Sequence, residues 1–520
     1  MQSSADFVGV DLGTSSCKVA VVDVHGRIGA TSTRRYSLEL GESGLAEQDP
    51  EGWWRAMSEA LREVFSSGTK FDVKGIGFTG QWSGTIPVDA EGNHLHKAII
   101  WMDTRGRGVI EKLTSGFPSI SGYRIDKLYT WLRKTGGAPA HSGKDSLAHI
   151  LYIKQNLPTV YRETHKFMEP KDYLIMRMTG ACIGSWDNTA LLWATDNRDP
   201  FHVKYDDGLL RMAGLERQKL PDLVAPTEVV GSVTSRASGE TGVPEGTKVI
   251  AGCGDMQCSL VGAGCVDDYS SHLYVGTSSW ITAHVPFKKT DIFHNIASLP
   301  SAIPGRYFVA AEQENAANSL EFMCTALNIP PQNKYEEMDR MASSSPRGAK
   351  KLIFLPWLFG ERTPVEDPHV RGGLFNLSLG HDRNDIVRAV MEGVAYNTKW
   401  LLSVVDGFIG GRGGSRAQGI VMSGGASLSR VWPQIFSDVL ERELTLIDNP
   451  TYSTAKGAAM LAALGTKSLT LEELKGMKAV GRGLAPQKEG LEAYREGYDQ
   501  FLRYYKNNRK GMREYNRSLK

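Results

Sequence analysis

The tetrapeptide Gly-Thr-Ser-Ser occurs twice, at residues 13–16 and 276–279. Each copy follows a short apolar, β-prone run, Phe7–Leu12 in the first case and His272–Val275 in the second. A turn of small residues after a strand lets backbone N–H groups converge on an anion. Two copies in matching context, half a chain apart, predict a duplicated unit whose turns look into one cleft. The first copy continues into Lys18–Asp23, which reads as a return strand closed by the His25-Gly26 turn.

Length fits duplication, because 520 residues exceed one ordinary domain. With 41% hydrophobic and 23% charged residues, the chain can bury sizeable cores and is not largely disordered. The boundary is expected near residue 260, giving units over 1–260 and 261–470 and a C-terminal helix with a basic tail over 471–520.

Lys+Arg 60 against Asp+Glu 58 leaves a net charge of +2, so no global field attracts nucleic acid. The tail from Arg503 to Lys520, with seven Lys/Arg against the single acid Glu514, reads as a solvated, fraying terminus. The six cysteines form no C-x-x-C pair and read as reduced, mostly buried thiols. Nothing after Met1 resembles a signal peptide, and no uncharged apolar run reaches membrane-spanning length. A soluble, cytoplasmic chain is the expectation.

Local signals place further elements. Asp49-Pro50-Glu51 opens a helix as N-cap, first-turn proline and first-turn acid, with Trp54, Met57, Leu61 and Val64 on its buried face. Strands are expected at Val73–Phe78 and Thr85–Val88, and Glu91-Gly92-Asn93 then turns the chain. Asn384–Asp406 reads as a long helix broken by Gly410–Ser415, and Gly419–Met422 as a strand running into Ser423-Gly-Gly-Ala426. Leu491, Tyr494, Tyr498, Phe501 and Tyr505 give the last helix an aromatic docking face.

The usual nucleotide and metal signatures are absent. No G-x-x-x-x-G-K-[ST] loop occurs. Gly75–Gly80 matches G-x-G-x-x-G, but Trp82–Asp89 reads as strand and turn rather than the helix a dinucleotide site needs. His94 and His96 flank Leu95 without completing a zinc ligand set, and there is no G-x-S-x-G elbow. Two carboxylates remain. Asp11, just before the first turn, can hold Mg²⁺ or cap its own turn. Asp255, after the Gly252-Cys-Gly254 turn, reads as the N-cap of a helix over Gln257–Val261, whose N-terminus would keep the carboxylate ionised. A carboxylate so placed can accept the proton of an attacking hydroxyl in phosphoryl transfer.

Taken together, the pattern resembles the FGGY family of carbohydrate kinases, and within it the xylulokinases. The resemblance runs from Phe7 to about Gly465 through motifs in order. They include Asp11-Leu-Gly-Thr-Ser-Ser16, Gly80-Gln-Trp-Ser-Gly84, Trp101-Met-Asp-Thr-Arg105, Pro170-Lys-Asp-Tyr-Leu174 and Gly252-Cys-Gly-Asp255. Gly276-Thr-Ser278, Leu355–Pro364, Asp367-Pro368 with Arg371-Gly372, Met391–Ala395 and Ser423-Gly-Gly-Ala426 complete the series.

It implies an α/β fold of two actin-like ATPase domains of the ribonuclease H-like type, with ATP and sugar in the cleft between them. By the same resemblance Asp255 matches the catalytic base and Asp11 the Mg²⁺-associated carboxylate. Gly13, Thr14, Ser15, Gly276 and Thr277 match phosphate-contacting turns, Gly425 the glycine beside adenosine, and Ser429 a position where relatives often carry asparagine. Gln81, Trp82, Ser83 and Asp103 match the sugar side, where Asp255 also contacts substrate, while Glu361 and Arg362 match a family signature without an assigned role.

The chain departs from its relatives near the sugar. Trp82-Ser83 stands where xylulokinases usually have Met-His and glycerol kinases Arg-Glu, and Met256 stands where Asn or Gln is common. The expected activity is ATP-dependent phosphorylation of a ketopentose hydroxyl, first D-xylulose to D-xylulose 5-phosphate, with ATP and Mg²⁺. Alternatives are another sugar or polyol such as ribulose, erythritol or a glycerol-like acceptor, a nucleotide-dependent actin-like switch, and a kinase that binds sugar without turning it over. The expected partners are sugar or polyol and ATP, with neither nucleic acid nor membrane, and a homodimer is the open expectation for assembly.

Overall fold

The computed structural model describes residues 5–410 and 419–517. Two sheets carry the fold. In the first, β1 (Asp6–Leu12), β2 (Ser16–Asp23) and β3 (Ile28–Arg35) form an antiparallel meander. β4 (Val73–Gly80) then pairs in parallel with β1, and β5 (Lys248–Ile250) in parallel with β4. The second sheet repeats this plan. β6 (Ser271–Val275), β7 (Ser279–Val285) and β8 (Tyr307–Gln313) form the meander. β9 (Gly419–Ser423) pairs in parallel with β6, and β10 (Glu443–Ile447) with β9. In both sheets the first strand of the hairpin is central, so its C-terminal end opens where a parallel neighbour also ends. Open α/β sheets bind ligands at such ends.

Helices cover these sheets. α1 (Pro50–Phe65) starts as the sequence predicts: Asp49 accepts the Glu51 N–H at 3.0 Å, Pro50 leads, and Trp54, Met57, Leu61 and Val64 are buried. α2 (Asp255–Gly262), α3 (Arg383–Gly410) and α4 (Ser453–Gly465) come later in the chain. α4 comes from the second half of the chain but packs on β1 and β4 of the first sheet, sharing one core with Phe7, Ala20, Val22 and Val261. It crosses α2 with backbones in contact. A Cβ on Gly457 would lie 1.8 Å from the Cys258 carbonyl oxygen, and one on Gly262 1.8 Å from that of Ser453. Only glycine permits that approach.

α5 (Leu491–Tyr515) docks through its aromatic face, with Tyr494, Phe501 and Tyr505 buried and the latter two packed on Trp357, Tyr396 and Trp400. Each such ring pair adds about 0.5–1.5 kcal/mol beyond area burial. The expectation of a fraying tail from Arg503 needs correction. The helix continues to Tyr515 because Arg513 Nε donates to the buried Asp367 carboxylate at 2.5 Å, and Asn516 Nδ2 donates to the His369 carbonyl at 3.0 Å.

Smaller expectations also meet the structure. Gly75–Gly80 lies inside β4, and no helix begins there. α3 runs from Arg383 to Gly410, longer than expected, and residues 411–415 of the glycine-rich segment lie outside the described residues. Five cysteines are buried and Cys182 is half-buried. Among the described residues no helix is long and apolar enough to cross a membrane.

Candidate active site

The two carboxylates singled out in the sequence come together. Asp11 sits near the end of β1 and is 4% exposed. Antiparallel register sets Lys18 of β2 directly opposite, with Nζ 3.6 Å from Asp11 Oδ2. Burial pushes the Asp11 carboxyl above its ordinary range, and Lys18 pulls it partly back.

Asp255 is the first residue of α2, and the N-cap is the extended Gly254. The N-cap expectation is corrected accordingly. Asp255 Oδ1 accepts the Met256 N–H at 2.8 Å. Its carboxyl is pushed up to about 7, first by burial and then by the charge of Asp11, with Glu312 adding to it. This overturns the expectation that the helix N-terminus keeps it fully ionised: α2 is only 8 residues long, and the gain from a helix end is smaller than the cost of burial beside a like charge.

Several neighbours carried no sequence signal. Glu312, on β8, and Glu314 both bind Arg362, the latter at 2.8 Å from Nη2. Lys144 Nζ lies 3.9 Å from Glu314 and over the rings of Trp101 and Phe359, 5.8 and 5.9 Å from their centres. Trp101 Nε1 donates to Thr14 Oγ1 at 3.0 Å. A chain of contacts thus runs from the first Gly-Thr-Ser-Ser turn through Trp101, Lys144, Glu314 and Arg362 to Glu312, whose charge Asp255 feels. Arg362 lies within one of the family motifs, whereas nothing local marks Lys144. Glu361 is a brace: Oε1 accepts the Glu314 and Arg362 N–H groups at 3.0 and 2.8 Å, and Oε2 accepts from Asn397 at 2.6 Å.

Among the residues expected to face the sugar, Gln81 is buried with Nε2 donating to Gln48 Oε1 at 2.8 Å, and its own Oε1 has no protein partner. Trp82 Nε1 donates to Asn188 Oδ1 at 2.6 Å, and the ring stands edge-on to Phe308 with centres 5.6 Å apart. A Cβ on Gly254 would fall 1.5 Å from Trp82 Nε1, so only glycine fits between this indole and Asp255. Ser83 is buried in a left-handed conformation, φ 56°. Met256, Leu299 and Phe308 form an apolar cluster with Trp82 and Trp280 packed on it. Asp103 is mostly committed to its own chain: Oδ2 accepts from Ala46 N and Arg105 Nε at 2.9 and 2.8 Å, and Oδ1 from Arg105 N at 2.9 Å.

The turn residues expected to face the nucleotide differ in availability. Gly13 is half-buried and Ser15 exposed. Gly276 N donates to Ser278 O at 2.9 Å, while the Gly276 and Thr277 carbonyls accept from Ala317 and Ala316 at the start of the helix Ala317–Ala326. Thr277 is exposed. Gly425 is exposed too, with nothing within 4 Å of an added Cβ, so this flank is open. Ser429 is not similarly free. Its Oγ donates to Asp339 Oδ1 at 2.5 Å and accepts the N–H of Trp432, the first residue of the helix Trp432–Leu440, at 2.9 Å.

Comparison with known proteins decides which family this arrangement belongs to. Residues 7–262 match the N-terminal domain of the FGGY family of carbohydrate kinases, and residues 273–466 match its C-terminal domain. The chain belongs to the FGGY family of carbohydrate kinases. It is similar to a xylulose kinase of Bacillus subtilis (strain 168), 27% identical over 509 residues covering 96% of each chain. A gluconokinase of the same organism is 25% identical over 471 residues, 88% of this chain and 87% of that one. A solved xylulose kinase structure from Lactobacillus acidophilus superposes with a TM-score of 0.85 at 21% identity, covering 98% of this chain and 100% of that one.

This FGGY kinase therefore has the two-domain actin-like, ribonuclease H-like α/β fold and is a sugar phosphotransferase that uses ATP. Its residues fit Mg²⁺ as the companion of ATP. Asp11 is a buried carboxylate with Lys18 no closer than 3.6 Å. Among the described residues no three Asp, Glu, His or Cys side chains gather as a metal cage. Mg²⁺ suits such a site, since it takes one or two carboxylates and fills its shell with phosphate and water.

Proposed function

We propose that this kinase transfers the γ-phosphoryl group of ATP to a hydroxyl of a ketopentose, D-xylulose in the first instance, giving D-xylulose 5-phosphate. The observation that carries the reading is Asp255, held at the start of α2 beside Asp11 with its carboxyl pushed up to about 7. A base poised near the working pH is both deprotonated often enough and basic enough to accept a hydroxyl proton. The acceptor oxygen forms its bond to the γ-phosphorus, the bond to the ADP oxygen breaks, and the proton passes to Asp255. The Gly13–Ser15 and Gly276–Thr277 turns hold the phosphates, and the open flank at Gly425 receives the adenosine. Mg²⁺, when bound near Asp11, would offset charge on the phosphates.

The similarity to a xylulose kinase over nearly the full chain supports the acceptor class. A second reading, another ketose, a polyol or a sugar acid, is favoured by Met256 lying in the apolar cluster where a polar partner to the acceptor would sit. ADP release with Mg·ATP, measured against D-xylulose, ribulose, erythritol, glycerol and D-gluconate, separates these readings. D-xylulose is expected to give the highest kcat/KM. A different strong responder would transfer the assignment to that acceptor, and acceptor-independent ADP release alone would refute the sugar reading.

A further inference from the structure

Residues 186–189 form one helical turn, and its Asp187 and Asn188 are fully buried. Asp187 Oδ2 accepts the N–H of Gly254 at 2.9 Å and Nε2 of Gln257 at 3.2 Å. Gly254 is the residue directly before Asp255. Gln257 is tied down in turn: Nε2 donates to the Pro300 carbonyl at 3.1 Å, and Oε1 accepts the Ala302 N–H at 2.6 Å. Asp187 thus grips the peptide entering α2 and the side chain one residue past Met256. Behind it, Lys171 Nζ donates to the Ala251 carbonyl at 3.0 Å and pairs with Asp172, so the approach to α2 is held from a second side.

Asn188 works on the neighbouring wall. An indole N–H only donates, so the amide oxygen of Asn188 must face Trp82, which fixes Nδ2 on the other side. That Nδ2 has no protein partner although it is buried. Trp82 in turn rests on Gly254, the same residue whose N–H Asp187 holds. Two adjacent side chains therefore fix two groups that touch: the peptide before Asp255, and Trp82.

We propose that Asp187 and Asn188 are a clamp with divided roles, Asp187 a positioning residue for Asp255 and Asn188 a specificity-determining residue acting through Trp82. This rests on the reading of Asp255 as base and Trp82 as part of the acceptor wall. Phosphoryl transfer depends mainly on positioning. A displacement of about 1 Å at the base costs about 100-fold in rate. Acceptor selectivity instead follows from which polar and apolar groups meet the substrate's hydroxyls.

The test compares Asp187→Ala with Asp187→Asn and Asn188→Ala with Asn188→Asp, the second of each pair keeping an oxygen where the hydrogen bond needs one. Asp187→Ala is expected to lower kcat about 100-fold with both KM values within about twofold, and Asp187→Asn to recover most of that loss. Asn188→Ala is expected to raise the KM for the acceptor about tenfold and to flatten kcat/KM across the acceptor panel, with kcat and the KM for ATP nearly unchanged. Asn188→Asp is expected to restore the wild-type KM.

Equal losses in kcat and KM for both alanine variants, or lowered thermal stability with unaltered kinetics, would overturn the clamp. The wild-type panel tests the sugar reading separately. Should wild type phosphorylate no acceptor, the Gly254 amide and Trp82 indole ¹⁵N resonances read the clamp directly. They are expected to move in Asp187→Ala and Asn188→Ala respectively and to stay in the conservative variants; immobility in the alanine variants would refute the clamp.

Discussion

The two Gly-Thr-Ser-Ser hairpins share a sequence and a place in their sheets, yet they differ in what stands two residues before the glycine. In the first hairpin that residue is Asp11, paired across β1 and β2 with Lys18. In the second it is Tyr274, paired across β6 and β7 with Trp280, the rings stacked 3.9 Å apart at 8°. The residue two before the glycine thus joins an ion pair in one copy and an aromatic pair in the other, and its cross-strand partner lies one residue nearer the turn in the second copy. The turns differ as well: Gly13 N donates to Ser16 O, whereas Gly276 N donates to Ser278 O, one residue tighter. The copies also meet, because the Tyr274 hydroxyl, raised mainly by burial, feels the charges of Lys18, Asp11 and Asp255. A duplicated unit can thus keep its turn sequence and its place in the sheet while one copy carries a buried charge beside Asp255 and the other an aromatic pair. The ionic copy should govern rate and its pH dependence, and the aromatic copy stability.

The largest effect expected is on Asp255. Asp255→Asn should lower kcat about 1,000-fold while leaving the Kd for ATP within about twofold, since only the proton acceptor is lost. Calorimetric ATP binding beside the ADP-release assay checks this, and near-wild-type turnover would remove Asp255 from the role of base. Next comes Asp11→Asn, expected to lower kcat about 100-fold because a charge near the transferring group disappears.

The ionic hairpin should also set the pH profile. The base must be deprotonated, so with a carboxyl raised to about 7 the wild-type kcat/KM rises with pH through about 7 and levels off above it. Asp11 is the main charge raising Asp255, after burial. Its removal should therefore move the acid limb to lower pH, by about one unit. An unmoved limb in Asp11→Asn would separate the two carboxylates and break the contrast between the hairpins.

Much of this was legible in local sequence. The strand-turn-strand pattern of β1 and β2, the Asp49-Pro50 start of α1 and the aromatic face of α5 are short-range signals, and each element forms where its signal lies. Lys18 was within reach only as a residue of the return strand, because the same four residues set 18 opposite 11 in the first hairpin but 280, one step earlier, opposite 274 in the second. What escaped depends on crossings that no local pattern encodes. Glu312, Lys144 and Asn188 reach the candidate site residues and their neighbours from three separate stretches of chain. The Asp255 carboxyl could not be read correctly from its place at a helix start alone, since its burial and the proximity of Asp11 are tertiary facts. Arg513 shows the same limit in the tail: a sequence rich in solvated cations says nothing of the buried Asp367 that receives one of them.

The smallest effect tests the aromatic half. Tyr274→Leu removes the stacked partner of Trp280, whose indole N–H already lacks a protein acceptor. The loss should be about 1 kcal/mol of stability, the worth of a ring pair beyond its buried area. Tyr274→Phe keeps the ring and should keep that stability. Neither change removes a charge near Asp255, so kcat should stay within about threefold and the acid limb should stay where it is in wild type. Thermal unfolding alongside a pH–rate profile reads both quantities from the same preparations. If Tyr274→Phe were to shift the acid limb as far as Asp11→Asn does, the hydroxyl would share the electrostatic role of the first hairpin, and the division between an ionic and an aromatic copy would fail at the point where the two copies meet.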